Sequence, residues 1–330
     1  MKKEMQEKLA LFSSNAQAIR NEFSMHDTLI KKLAALLYAL DNKQINTVAI
    51  KNNHTLIKNN TGIFSMFRGS MGLCVAAMLS LKDDPEELFA QTITVYEMLR
   101  SVKFRASDYL VVAAAEIALG AKPAEFQKVV DRTKSFYDGM KAYGFFRTGQ
   151  DDYIYSAMLG LSSVDVHAGT ENIDKLFRQF KPEFRQGNSV QALAQILVLS
   201  GEHDSAVSRI VMLKDAMKRQ GIRLDRTYTL PALGVLALLP VDIATIVNDI
   251  YEVQESLQTQ KGFGAWSVSK QALLLFSSAI VSSVYSKDIE TGAIAASVST
   301  SIASIVIAQH AALVAAMSAS TAATAAASSS

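Results

Sequence analysis

Apolar and polar positions fall into two kinds of segment along this chain. In one kind nearly every position is apolar, as in Tyr109-Leu110-Val111-Val112-Ala113-Ala114-Ala115-Glu116-Ile117-Ala118-Leu119. In the other, core-type residues return at three- and four-residue steps: Phe126, Val129, Val130, Thr133, Phe136, Tyr137 and Met140. Glu125, Lys128, Asp131, Arg132, Lys134 and Asp138 fill the opposite face. The first pattern predicts a helix buried all round, here called A, and the second an amphipathic helix, B, with one side in water. Ser107 or Asp108 supplies a cap for this A helix, Gly120 stops it, and Pro123 suits the first turn of B.

The pair recurs. Loop anchors stand at Phe23, Phe67, Phe104, Phe146, Phe184, Leu224 and Phe263, about forty residues apart, and each opens an A segment. A small residue follows about ten positions later at Ala77, Ala114, Ala157, Ala194 and Gly234, which permits close helix crossing. Asp84-Pro85, Lys122-Pro123, Asp204-Ser205 and Asp242-Ile243 start B helices in cap-then-helix order. In the first unit, 27–40 reads as A and the polar stretch 46–60 as a weak B; residues 4–21 add one further helix. The fold predicted is all-α: about seven tandem helical hairpins forming a curved α-solenoid or a closed α/α toroid over residues 1–290.

Residues 291–330 break the pattern, being rich in alanine and serine without one Asp, Glu, Lys or Arg. Ile294, Val298, Ile302, Ile305, Leu313 and Met317 keep helical spacing, so a C-terminal helix packed on this domain or on a partner is expected. Residues 292–322 are long enough to span a bilayer, but Gln309, His310 and many hydroxyls dilute them. A largely unstructured end is the third reading.

Lys plus Arg number 33 and Asp plus Glu 31, a balance that does not favour nucleic-acid binding. The one cysteine, Cys74, lies in an apolar run and reads as a buried small hydrophobe. The five histidines show no metal-ligand spacing, and no cofactor signature is present, so neither is expected. Met1-Lys2-Lys3-Glu4-Met5-Gln6-Glu7-Lys8 does not resemble a secretory signal, and a cytoplasmic protein is expected.

Two sets of residues are candidates for chemistry. Arg68, Arg105, Arg147 and Arg185 each follow a loop phenylalanine and Arg226 lies near the matching place, so a regular stack lines them along one edge, where they suit carboxylates or phosphates. The plainer reading pairs each arginine with an acid of a neighbouring unit. Asp108, Asp151, Asp152 and Asp225 stand at A-helix starts; two facing one another across a cavity would serve as general acid and base, as in glycoside-cleaving helical barrels, although capping needs the same residues. Lys261-Gly262-Phe263-Gly264-Ala265-Trp266 holds the one tryptophan, read as a structural anchor before a ligand-stacking surface.

The segments Thr61-Gly62-Ile63-Phe64-Ser65-Met66-Phe67-Arg68-Gly69, Gly187-Asn188-Ser189-Val190-Gln191-Ala192-Leu193, Leu233-Gly234-Val235-Leu236-Ala237-Leu238-Leu239 and Gln260-Lys261-Gly262-Phe263-Gly264, with the Ala/Ser tail, resemble a bacterial family known as domain of unknown function 4003. The resemblance implies a bacterial, cytoplasmic origin and brings no activity or cofactor with it. The leading expectation is therefore a non-enzymatic helical-repeat scaffold that binds a protein or peptide, or a second copy of itself through the C-terminal helix. An enzyme using the acids and arginines of a toroid pocket is the competing expectation, and tail-mediated membrane attachment a third.

Overall fold

The computed structural model describes residues 1–23, 26–144, 148–184, 187–201, 204–286 and 305–308. The regular structure of these residues is all helical, with no strand among them. In chain order the helices are α1 (Lys3–Ile19), α2 (Thr28–Leu40), α3 (Thr47–Asn59), α4 (Gly72–Ser80), α5 (Pro85–Ser101), α6 (Asp108–Gly120) and α7 (Phe126–Tyr143). There follow α8 (Tyr153–Leu161), α9 (Val166–Phe180), α10 (Gly187–Ser200), α11 (Asp204–Arg219), α12 (Leu230–Ala237), α13 (Ile243–Thr259) and α14 (Lys270–Tyr285). The caps read from the sequence form: Asp84 accepts from the Glu87 amide and Asp242 from the Thr245 amide, each at 2.9 Å. At α6 the cap is Ser107, whose Oγ accepts from the Leu110 amide at 3.2 Å.

Even-numbered helices are the apolar A type and odd-numbered ones the amphipathic B type. Every residue of α4 but Ser80 is buried, as is every residue of α12, which leaves these helices no solvent face. Each even helix packs on the odd helix before it: α1 on α2, α3 on α4, and so on to α13 on α14. The aromatic loops are therefore the bends of the hairpins. The helix read as an addition ahead of the first unit is the partner of α2.

Cations on the odd helices close the ends of the even ones. Arg132 of α7 donates to the carbonyls of Gly160 (3.0 Å), Ser162 (2.8 Å) and Val164 (2.7 Å) at and beyond the end of α8. Arg209 of α11 repeats this on Ala237, Leu239 and Val241 at and beyond the end of α12. Lys8 of α1 reaches the Leu40 carbonyl at 2.9 Å and Asn42 Oδ1 at 2.7 Å after α2. Carbonyls left over at a helix C-terminus carry partial negative charge, and these cations satisfy them. Gly160 lets α8 lie close against α7: a Cβ there would meet Thr133 Oγ1 at 2.3 Å and the Val129 carbonyl at 3.0 Å.

The even helices also pack side by side, α2 on α4, α4 on α6, α6 on α8, α8 on α10, α10 on α12 and α12 on α14, and α14 packs on α2 and α1. Phe12 of α1 stands edge-on to both Phe263 and Phe276, with ring centres 5.1 Å away in each case. Neighbouring even helices point the same way. The Met71 amide at the start of α4 donates to Asp108 at the start of α6 (3.4 Å), and the Arg105 amide just before α6 donates to the Tyr153 hydroxyl at the start of α8 (3.2 Å). Ser189, early in α10, donates to the Thr227 carbonyl ahead of α12. Near the opposite ends of α2 and α4, the Tyr38 hydroxyl meets Ser80 Oγ at 2.6 Å.

Residues 305–308 of the uncharged tail are helical and buried. Ile305 and Val306 share a small crevice with Ala232 and Val235 of α12 and with Leu275, Ser278 and Ala279 of α14. The other tail residues, 291–304 and 309–330, lie outside the described residues.

Candidate anion-binding site

The N-terminal ends of the even helices carry partial positive charge and, by their common direction, lie on one side of the protein. On that side, where the end of α1, the start of α2 and the loop before α14 meet, there is a cleft of about 370 Å³. Arg20, Lys31, Lys32 and Lys261 line it together with Thr28, Ser267 and Trp266, and no Asp or Glu is among its described walls. Its two sides come from chain segments that only long-range packing brings together.

Lys32 is the central residue. Helix periodicity sets it in the buried face of α2, between Leu29 and Leu33, and its residue is only 7 % exposed. Among the described residues its ammonium has no hydrogen bond or ion pair; it lies over the Phe263 ring, 5.3 Å from the centre. Burial pushes its pKa down to about 8, and the charges of Lys31 and Arg20 push the same way against Asp27. Asp27 is engaged elsewhere, capping α2 by accepting from the Leu29 amide at 2.6 Å. Lys31 donates to the Arg20 carbonyl at 3.0 Å, which binds the end of α1 to the start of α2. A partly desolvated ammonium among further cations is costly without a counter-charge, and an anion entering the cleft supplies one.

Trp266 was expected to anchor its turn, and the structure corrects this. Phe263 is the anchor, 1 % exposed, while the indole of Trp266 stands fully in solvent at the cleft. Gly262, at φ +88°, provides the left-handed bend that turns Phe263 inward. Lys32, Lys31, Arg20 and Lys261 escaped the sequence reading, although a Lys-Lys pair inside the apolar run Leu29-Ile30-Lys31-Lys32-Leu33 was a signal for it.

The loop arginines divide. Arg68 donates to the carbonyls of Lys58 and Thr61 and to Thr61 Oγ1, so it ties its own loop together and its partners are carbonyls, not the acid of a neighbouring unit. Arg105 and Arg226 are exposed. Arg147 and Arg185 lie outside the described residues, as does Phe146. The phenylalanines do plug the junctions: Phe67 and Phe104 are 2 % exposed and Phe184 is 3 % exposed.

Of the four acids, three act on a common neighbour. Burial raises the Tyr109 phenol beyond its ordinary range and the charges of Asp151, Asp108 and Asp152 add to this, while at the buried Tyr155 Asp152 and Asp151 add to burial in the same way. Asp152 is itself buried and accepts hydrogen bonds from the Gly149 amide (2.8 Å), Gln191 Nε2 (2.9 Å) and Gln195 Nε2 (2.8 Å). Asp225 is held separately by Arg223, at 2.8 and 3.0 Å; those bonds outweigh its burial and keep its pKa low. Cys74 is fully buried and its thiol is pushed far above the usual range by that burial, which leaves it inert. Among the described residues no group of His, Cys, Asp and Glu is arranged to hold a metal, and no helix is long and apolar enough to cross a membrane.

Comparison with curated proteins and with solved structures gives no match. The family model described as "Protein of unknown function (DUF4003)" matches residues 15–311, nearly the whole chain, and this protein belongs to that family.

Proposed function

We propose that this protein is a binding module for a small anion, held in the cleft between α1, α2 and the loop before α14, and that its hairpins form a closed α/α toroid. The packing of α14 on α2 and α1 supports closure. Binding is carried by one observation: Lys32 is a largely buried lysine whose ammonium faces the cleft without an ionic partner among the described residues, beside three more cations and no described acid. Phosphate and carboxylate groups are the ligands suited to such a set. The parallel helix N-termini add a favourable field of the same sign. Catalysis by the acids has less support, because protein donors already occupy both oxygens of Asp152.

Isothermal titration with inorganic pyrophosphate tests the reading. The full chain binds it, and Lys32→Met, which keeps the length and the apolar stem, weakens binding by about tenfold or more, the worth of one charge-assisted hydrogen bond. Absence of pyrophosphate binding at low salt rejects the proposal. So does an affinity that Lys32→Met leaves unchanged.

A further inference from the structure

We infer that the ligand carries a planar aromatic ring next to its anionic group, as a nucleoside monophosphate does. This rests on the anion-binding reading and adds the second half of the molecule. The cleft is larger than an inorganic oxyanion needs and falls within the size range of small-molecule sites, at about 370 Å³. The cations, with Lys32 deepest, account for the charged end.

Trp266 accounts for the other end. An indole wholly in water gives up the burial that usually retains a tryptophan, and here it contributes nothing to its own turn, since Phe263 holds the loop down. Gly264 beside it has open space where a Cβ would stand, so the loop presents the indole without crowding. An exposed ring beside a cationic cleft is the combination that binds nucleotides without reading the base: phosphate on the cations, base on the π face. The exposed Arg20 guanidinium lines the same cleft and is a second planar group against which a base stacks.

Trp266 is the one tryptophan of the chain, so fluorescence excited selectively at tryptophan, beyond the absorption of the ten tyrosines, reports this cleft alone. Full-length protein is titrated with AMP, UMP, ribose 5-phosphate and pyrophosphate, by fluorescence and by calorimetry. AMP or UMP quenches the emission and binds about tenfold or more tighter than ribose 5-phosphate, the increment expected of one base–aromatic stack. Trp266→Ala brings the nucleotide down to the ribose 5-phosphate level in calorimetry, and Trp266→Phe recovers part of the difference. Nucleotides that bind no tighter than ribose 5-phosphate overturn the aromatic inference while the anion site stands. If none of the four ligands binds, both readings fall.

Discussion

Gln195 of α10 donates from Nε2 to Oδ1 of Asp152, at the start of α8, across 2.8 Å, and both side chains are buried. Burial, with the charge of Asp151 beside it, outweighs this bond and those from Gly149 and Gln191 and raises the Asp152 pKa to about 7. Gln195 Oε1 has no hydrogen-bond partner, and a half-turn of the amide would let it accept the proton of a neutral Asp152.

A pH dependence follows from the sign of that shift. The folded pKa lies above the unfolded value of 3.8, so the stability contributed by the neutral acid is complete below pH 3.8 and is lost as pH rises through about 7. His54 has the opposite slope within the same range, because burial first, then Lys58 and His26, bring its pKa down from 6.5 to about 4. Comparison with Asp152→Asn separates the two. Between pH 5 and 7.5 the melting temperature of the wild type falls relative to the variant, as followed by circular dichroism. Parallel curves across this range would show that Asp152 stays ionised in the folded protein.

Arg132 and Arg209 occupy equivalent places two hairpins apart, and each feeds three carbonyls at and beyond the end of the next even helix. Arg132→Ala strips charged donors from three acceptors at once, so a loss of about 1.5–3 kcal/mol is expected from urea midpoints at constant slope. Arg132→Lys recovers only part of this, because an ammonium lacks the fork that spans the carbonyls. A change within about 0.5 kcal/mol, usual for a surface site, would show that water replaces the guanidinium freely.

The helix types and the loop anchors were legible because period and composition are local. Phe104, Phe184 and Phe263 were identified as anchors from their place ahead of apolar runs, and all are buried. The phase of the repeat was not legible. Spacing near forty residues fits A-then-B and B-then-A equally, and only packing shows that α1 belongs with α2. The cleft was illegible for a related reason, since Lys32 and Trp266 meet only through contacts between distant parts of the chain. Asp108, Asp151 and Asp152 could be listed as helix-start acids, but their shared action on Tyr109 depends on neighbouring even helices running in parallel. Within Lys261-Gly262-Phe263-Gly264-Ala265-Trp266, local sequence cannot say which aromatic turns inward.

Phe12 tests the junction between the two ends of the helical series. Its ring touches Phe263 and Phe276 edge-on, and Phe263 in turn lies beneath the Lys32 ammonium. Phe12→Ala leaves a cavity beside the two remaining rings and costs about 3–5 kcal/mol in urea unfolding. The same change weakens pyrophosphate binding, because the floor of the cleft loses its support. Reduced stability with unaltered affinity would separate the junction from the cleft.

Lys103 ends α5 in a conformation that suits glycine. Its φ is +75°, and the bond from the Phe104 amide to the Leu99 carbonyl (3.2 Å) closes the turn. The same bond, from the Ile222 amide to the Met217 carbonyl at 2.9 Å, closes α11, and there the left-handed place is taken by Gly221 at φ +72°. Lysine at this place carries a Cβ against the following carbonyl, a strain of about 1–2 kcal/mol that the buried Phe104 holds in place through its packing on Tyr137 and Tyr153. Lys103→Gly removes the strain and gives back part of the gain as entropy of the unfolded chain, so a net stabilisation of about 0.5–1 kcal/mol is expected. Gly221→Ala places a Cβ in the same backbone conformation and loses about 1 kcal/mol. Urea midpoints of the two variants should therefore move in opposite directions from the wild type. If Lys103→Gly is destabilising, the lysine stem contributes more by covering this bend than its backbone costs.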